Sequence, residues 1–183
     1  THTLTYILEG ESKKVAVRGK QTTVIGYQNK ERIQKASRKI WYDLASALEK
    51  RGIAEILIPR LIYRDYNVLW NQASFIPGEL FIEFIPFPSP EIKTEVYLAI
   101  LSSSVTEIML RANAQVYGGG TYNINPGQIK KVPILNPHLL TSDQHEALAF
   151  AYHDYLISDN HDRSRINQVV YDILGFSEDM REQ

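Results

Sequence analysis

TEVYLAILSSSVTEIMLRA, residues Thr94–Ala112, is the stretch that decides how this chain folds. Val96, Leu98, Ile100, Leu101, Val105, Ile108, Met109 and Leu110 recur at the three- and four-residue intervals of a helix with a wide apolar side. The spacing predicts one largely buried helix between Ile92 and Asn113. Working outward, AEILIPRLIY at Ala54–Tyr63 reads as a buried strand that ends or bends at Pro59, because proline cannot donate to a sheet ladder. Val68–Phe87 continues in short strand-like runs broken by Pro77, Gly78 and Pro86. On the other side lies YGGGTYNINPGQIKKVP, Tyr117–Pro133. It reads as a loop at the glycines and an extended segment from Ile129 to Leu135.

Further out, residues 4–27 are rich in β-branched and aromatic types and read as short strands, with a turn at Gly19, Lys20 and Gln21. From Glu31 to Arg51 the period becomes helical, with Ile33, Ala36, Ile40, Leu44, Ala47 and Leu48 on one face, and Gly52 is a C-cap candidate. Arg32, Lys35, Arg38 and Lys39 make its other face basic, while Trp41–Tyr42 read as core at this spacing. Beyond Pro137 two amphipathic helices are expected, one from Thr141 or Ser142 to about Leu156 and one from about Asp162 to Leu174, closed by Gly175. The pattern predicts an α+β fold: a curved, mostly antiparallel sheet with packed helices and a C-terminal helical pair. It also predicts two regions, residues 1–137 and 138–183.

Cysteine is absent, which excludes a disulfide framework and a thiolate metal site. No run approaches the roughly 18 apolar residues of a membrane helix, and the N-terminus lacks a signal-peptide layout; no membrane partner and a cytoplasmic location are expected. The start at Thr1 reads as that of an excised fragment. The net charge of −1 hides an asymmetry: residues 11–64 carry 13 basic against 5 acidic side chains, and residues 135–183 carry 3 against 9. Such a division can draw a polyanion to one region of a nearly neutral molecule.

Chemistry is sparse. The triple glycine lacks the Lys–Ser/Thr ending of a phosphate loop and follows a helix rather than a strand. His145, His153 and His161 stand eight apart and read as surface residues rather than a metal site. No catalytic residue, metal or cofactor is assigned to the chain. The equipment for nucleic acid is richer. Between Ile58 and Phe75 the chain carries Arg60, Tyr63, Arg64, Tyr66, Asn67, Trp70, Asn71 and Gln72, which supply phosphate contacts, base-edge partners and stacking faces.

The order of these elements resembles the C-terminal target-recognition domain of the γ-class adenine-specific DNA methyltransferases of restriction–modification systems, some of which are fused to a nuclease. The resemblance covers residues 35–177 and rests on KIWYDL at Lys39–Leu44, ILIPRL at Ile56–Leu61, NQASF at Asn71–Phe75, LAILSSSVTEIMLR at Leu98–Arg111, and the glycine loop with the terminal helix INQVVYDILGFSEDM. It departs from the pattern where Leu101 leads straight to Ser102.

The resemblance implies sequence-specific recognition of double-stranded DNA. An N-terminal methyltransferase domain of the parent enzyme would bind S-adenosylmethionine and hold the flipped adenine with an NPPY-type tetrapeptide. This chain has no NPPY, so the fragment is not expected to transfer a methyl group alone. Phosphate contacts are expected from Lys13, Lys14, Arg18, Lys20, Arg38, Lys130 and Lys131, and base readout from Arg60, Arg64, Asn71, Gln72, Tyr122 and Asn123. Gly118, Gly119 and Gly120 are expected to let DNA approach the main chain. The competing readings are a protein–protein interaction domain and the recognition unit of a specificity subunit from a related restriction system.

Overall fold

The apolar stretch is broken at Ser103 into two helices, Thr94–Ser102 and Ser104–Asn113, in the computed structural model, which describes residues 2–35, 40–42, 53–158 and 160–181. Ser103 is extended, with φ −66° and ψ 151°, and its Oγ accepts from the Thr106 N–H at 3.2 Å while donating to the Ile100 carbonyl at 2.8 Å. Asn167 holds the next residue from outside: its Oδ1 accepts from the Ser104 N–H and its Nδ2 donates to Ser104 Oγ, both at 2.8 Å. Serine hydroxyls compete with helical backbone bonds. Three in succession, with a partner placed to use them, outweigh the apolar periodicity that predicts one helix.

The chain divides into two compact units, Thr1–Gly52 and Ile53–Gln183. The first holds α1 (His2–Ser12), β1 (Lys14–Ala16), β2 (Thr23–Ile25) and α2 (Glu31–Lys35). β1 and β2 form the expected antiparallel hairpin, with Val15 opposite Val24. His2–Ser12 is helical where a strand is expected, since a short apolar run such as YIL fits either period. The long basic helix begins as α2, but Ile40–Tyr42 form a turn. Positions 36–39 and 43–52, with Arg38 among them, lie outside the described residues. Of the pair expected in the core, Trp41 is half-buried, its ring 5.7 Å from that of Tyr6 and 4.9 Å from that of Tyr27, and Tyr42 is exposed.

The second unit runs β3 (Ile56–Pro59), β4 (Leu61–Ile62), β5 (Leu69–Trp70), β6 (Phe81–Phe84), α3 (Thr94–Ser102), α4 (Ser104–Asn113), β7 (Gln115–Tyr117), β8 (Thr121–Asn123), α5 (Pro126–Ile129), α6 (Ser142–Ile157), α7 (Ser164–Leu174) and α8 (Glu178–Arg181). Its strands form two antiparallel sheets, in the orders β5-β3-β6 and β4-β8-β7. Arg60 joins them: its N–H donates to the Leu80 carbonyl at 2.8 Å on one side, and its carbonyl accepts from the Ile124 N–H at 2.9 Å on the other. The segment Ile56–Ile62 therefore passes from one sheet to the next: β3 ends at Pro59, still paired with Phe81, and the bend falls at Arg60. The fold is α+β, with antiparallel sheets and packed helices.

One core serves this unit. Ile56, Ile58 and Ile62 from the strands meet Leu98 and Ile100 of α3, Leu110 of α4, Leu148 and Tyr152 of α6, and Ile166 and Val170 of α7. The C-terminal helices thus share the core of the sheets, and the boundary expected after Pro137 is not where the chain divides. Their ends match the sequence. Thr141 and Gln144 form a capping box at the start of α6, and Gly175 closes α7. The extended segment expected at Ile129–Leu135 is not a strand: Ile129 ends α5, Lys130 and Lys131 form a turn and Val132 a bend. Asn125 and Gln128 form a second capping box at the start of α5 with Pro126 in the first turn, a signature carried by NPGQ.

Candidate nucleic-acid interface

β7 and β8 pair with Gln115 opposite Asn123 and Tyr117 opposite Thr121, so Gly118–Gly120 are the tip of a β-hairpin. Gly119 and Gly120 take φ 79° and 77°, which glycine adopts without strain. No atom lies within 4 Å of where a Cβ would stand on any of the three, so the tip is open. β4 flanks β8 on its other side, with Ile62 opposite Tyr122, and its direction carries Tyr63 and Arg64 toward the tip. Arg64 lies over the Tyr63 ring at 5.4 Å, and both side chains are exposed. Tyr63 and Tyr117 are the exposed flat faces of this region.

Arg111, reaching from α4, fastens the array. Its guanidinium donates to the carbonyls of Tyr63 and Arg64 at 3.3 and 3.2 Å and lies 4.9 Å over the Tyr122 ring. Glu107 holds Arg111 at 2.6 Å and Arg163 at 2.6 Å, and Arg163 also donates to the Ser102 carbonyl at 3.3 Å. Sequence reasoning passes over Arg111 as a site residue; the Glu107–Arg111 spacing of four is the signal that points to it. Beside this pair the Tyr66 phenol is buried, and burial, with the Glu107 carboxylate adding to it, pushes it well above the ordinary tyrosine range. Tyr122 is half-buried beneath Arg111, and Asn123 donates to the Tyr117 hydroxyl at 2.9 Å. Both are half-buried, and each spends one contact on the hairpin and its brace.

Asn71 corrects the expectation of base readout. It is 7% exposed, and its amide donates to the Ala54 and Phe75 carbonyls at 2.9 and 2.8 Å while accepting from the Phe75 N–H at 2.9 Å. Its hydrogen bonds build the loop Asn71–Phe75 and leave nothing for a base edge. Gln72, next in sequence, is exposed. Arg60 is half-buried and donates to the Glu79 carbonyl at 3.0 Å, so it belongs to the joint between the sheets.

The remaining candidates are lysines and one arginine, two of them in the second unit and four in the first. Lys131 is exposed, and Lys130 lines a groove of about 500 Å³ with Phe84, Phe87 and Ile134. In the first unit Lys13, Lys14, Arg18 and Lys20 are exposed along the β1–β2 hairpin. Among the described residues no group of acidic or histidine side chains could hold a metal, and no helix is long and apolar enough to cross a membrane. His145 and His161 face main-chain carbonyls, those of Pro137 and Tyr155. Compared with models of protein families, with curated proteins and with solved structures, the chain has no match.

Proposed function

We propose that this chain is a sequence-specific double-stranded DNA recognition module of a γ-class adenine-specific DNA methyltransferase, separated from the domain that binds S-adenosylmethionine and transfers the methyl group. One observation carries the reading: the open Gly118–Gly120 tip stands with Arg64, Tyr63 and Tyr117 on one sheet, braced from behind by Arg111. A two-stranded ribbon with a narrow tip suits a DNA groove, and backbone N–H groups, arginine and tyrosine are among the commonest partners of phosphates and base edges. The exposed lysines Lys13, Lys14, Lys20, Lys130 and Lys131, with Arg18, supply the sequence-independent part.

The test is fluorescence anisotropy with labelled duplexes across a salt series, extended to high micromolar protein. Lys130→Ala combined with Lys131→Ala is expected to weaken binding on all sequences and to flatten the salt slope by about 2, one for each phosphate no longer neutralised. Arg64→Ala is expected to narrow the difference between preferred and unrelated sites. Absence of any salt-sensitive affinity at low ionic strength overturns the reading.

A second reading, a protein-docking domain, draws on Phe87, which is 84% exposed beside Phe84, Ile85 and Ile134 in an apolar groove. In the first reading the same groove suits the parent's N-terminal methyltransferase domain. A chain that binds no duplex but forms a stable complex through Phe87 favours the second.

A further inference from the structure

We propose that the cleft between the Asn71–Phe75 loop and helix α6 is a binding site for a single unpaired nucleobase. The cleft has a volume of about 480 Å³, within the range of small-molecule sites. Its walls are flat rings. Half-buried Trp70 packs edge-on against Tyr152, with 6.2 Å between ring centroids. Buried Tyr152 and Tyr155, 5.7 Å apart, form the floor, and exposed His161 stands 5.2 Å from Tyr155. The faces open to a ligand are therefore those of Trp70, His161 and Phe75. Phe75, 70% exposed, stands at the lip with its ring free to cover a ligand.

Two exposed amides stand among the polar groups, beside the His161 imidazole. Asn67 and Gln72 are exposed and line the cleft, and each amide presents donors and an acceptor in a plane, the pattern of a base edge. Among the described residues no lysine, arginine or carboxylate lines it, which favours a neutral planar group over a phosphate. Stacking between aromatic faces combined with amide bonding at the edge is how proteins hold a base that has left its stack. Burial pushes the Tyr152 phenol up to about 12 and raises that of Tyr155, so both remain neutral near pH 7.

The backbone adds an independent sign. The non-glycine residues with left-handed φ among the described residues are Ser74, at 55°, and His161, at 48°. Ser74 shapes the loop that carries Phe75, and His161 lines the opposite wall. Strained positions of this sort persist where the surroundings hold them, and they concentrate at binding sites. Asn71 supplies the holding on one side, through its three bonds across the loop.

The base can come from a free nucleotide or from DNA in which a base is unpaired or extruded. The site stands independently of duplex recognition, because none of the lysines and arginines assigned to duplex contact lines it. The experiment titrates the whole chain with nucleoside 5′-monophosphates, with inorganic phosphate, and with two duplexes of one sequence, one fully paired and one with a single unpaired adenine. Tryptophan emission is read in parallel with anisotropy. Quenching by a monophosphate but not by phosphate, lost in Trp70→Phe, is expected, as is tighter binding of the bulged duplex.

Phe75→Ala is expected to weaken both about tenfold, the loss of one stacking face, and Phe75→Tyr to restore them. Phe75 is exposed, so the truncation spares the core, and Gln72→Ala, equally exposed, is expected to change which base binds best. If no monophosphate quenches Trp70 and the two duplexes bind alike, the proposal fails while paired-duplex recognition stands. If the monophosphates bind and neither duplex does, the cleft stands and the recognition reading falls.

Discussion

Two runs of three identical small residues interrupt this chain, Ser102–Ser104 and Gly118–Gly120, and they do opposite work. The serines sit under the core. Ser103 ends one helix and caps the next, Asn167 grips Ser104, and the carbonyl of Ser102 takes a hydrogen bond from Arg163. The glycines project from a hairpin with nothing packed on them. In the sequence the glycines look irregular and the serines pass as a polar patch in a helix. In the structure the serine run is the pivot about which α3 and α4 turn, and the glycine run is the part left open to a partner. A break in regular structure that is satisfied from within is architecture, and one left open to solvent is a candidate contact.

The largest effect is expected from Glu107, four residues beyond the Ser103 cap. Glu107→Gln leaves two guanidiniums facing a neutral amide with one acceptor. The loss is expected to be about 2 kcal/mol in urea unfolding, below the roughly 3–5 kcal/mol of a fully buried pair. The discount follows from Arg111 and Arg163 keeping 22% and 27% of their side-chain exposure. Arg111 also holds the carbonyls of Tyr63 and Arg64, so duplex binding is expected to weaken in the same variant. A change under about 0.5 kcal/mol makes the network ornamental and separates the serine pivot from the hairpin it is said to brace.

Ser103→Ala comes next, at about 1.5 kcal/mol, the usual worth of a helix cap whose hydroxyl is also buried against a carbonyl. Ser103→Thr preserves the cap oxygen and is expected to recover most of the loss. If Ser103→Ala is silent, the break between the helices is held by Asn167 alone, and Asn167→Ala then carries the penalty.

Much of the second unit is legible in the residues alone. Thr141 and Gly175 announce the ends of α6 and α7 because capping is local chemistry, complete within a few residues. The strands at Ile56–Pro59 and Phe81–Phe84 show in their β-branched and aromatic runs. What stays hidden depends on partners far along the chain. Ser104 meets Asn167, Asn71 closes on Ala54, and Arg111 reaches Tyr63, at separations no window registers. The candidate site divides the same way: residue types flag Arg64, Tyr122 and Asn71 alike, and only their bonds tell an exposed cation from a braced ring and a saturated amide. The cleft of Trp70, Tyr155 and His161 joins segments nearly a hundred residues apart and has no sequence signal as a unit.

At the glycine tip the effect on stability is smaller and the effect on binding larger. Gly120→Ala forces an L side chain into φ 77°, at about 1 kcal/mol. Gly118, with no positive φ and open space around it, is expected to accept alanine without measurable loss. If the tip approaches DNA closely, both substitutions reduce duplex affinity although only one reduces stability. Equal affinity of Gly118→Ala and the parent chain by anisotropy removes the tip from the interface and leaves it a turn.

Ser102→Ala is the smallest expected change and the sharpest check on the comparison. Ser102 is buried, yet its Oγ finds no hydrogen-bond partner among the described residues, so the hydroxyl gave up its water on folding and gained nothing in return. The bond from Arg163 runs to the main-chain carbonyl, which the substitution keeps. Alanine also suits the last turn of α3 better than serine. Removing an unsatisfied hydroxyl is therefore expected to leave stability within about 0.5 kcal/mol or to raise it, against the loss expected one residue later at Ser103. The measurement is the urea midpoint of the two variants side by side at equal slope. A loss above about 1 kcal/mol for Ser102→Ala shows that its hydroxyl is engaged. The serine run then acts as one uniform hydrogen-bonded unit, and the distinction between a saturated cap and an idle neighbour disappears.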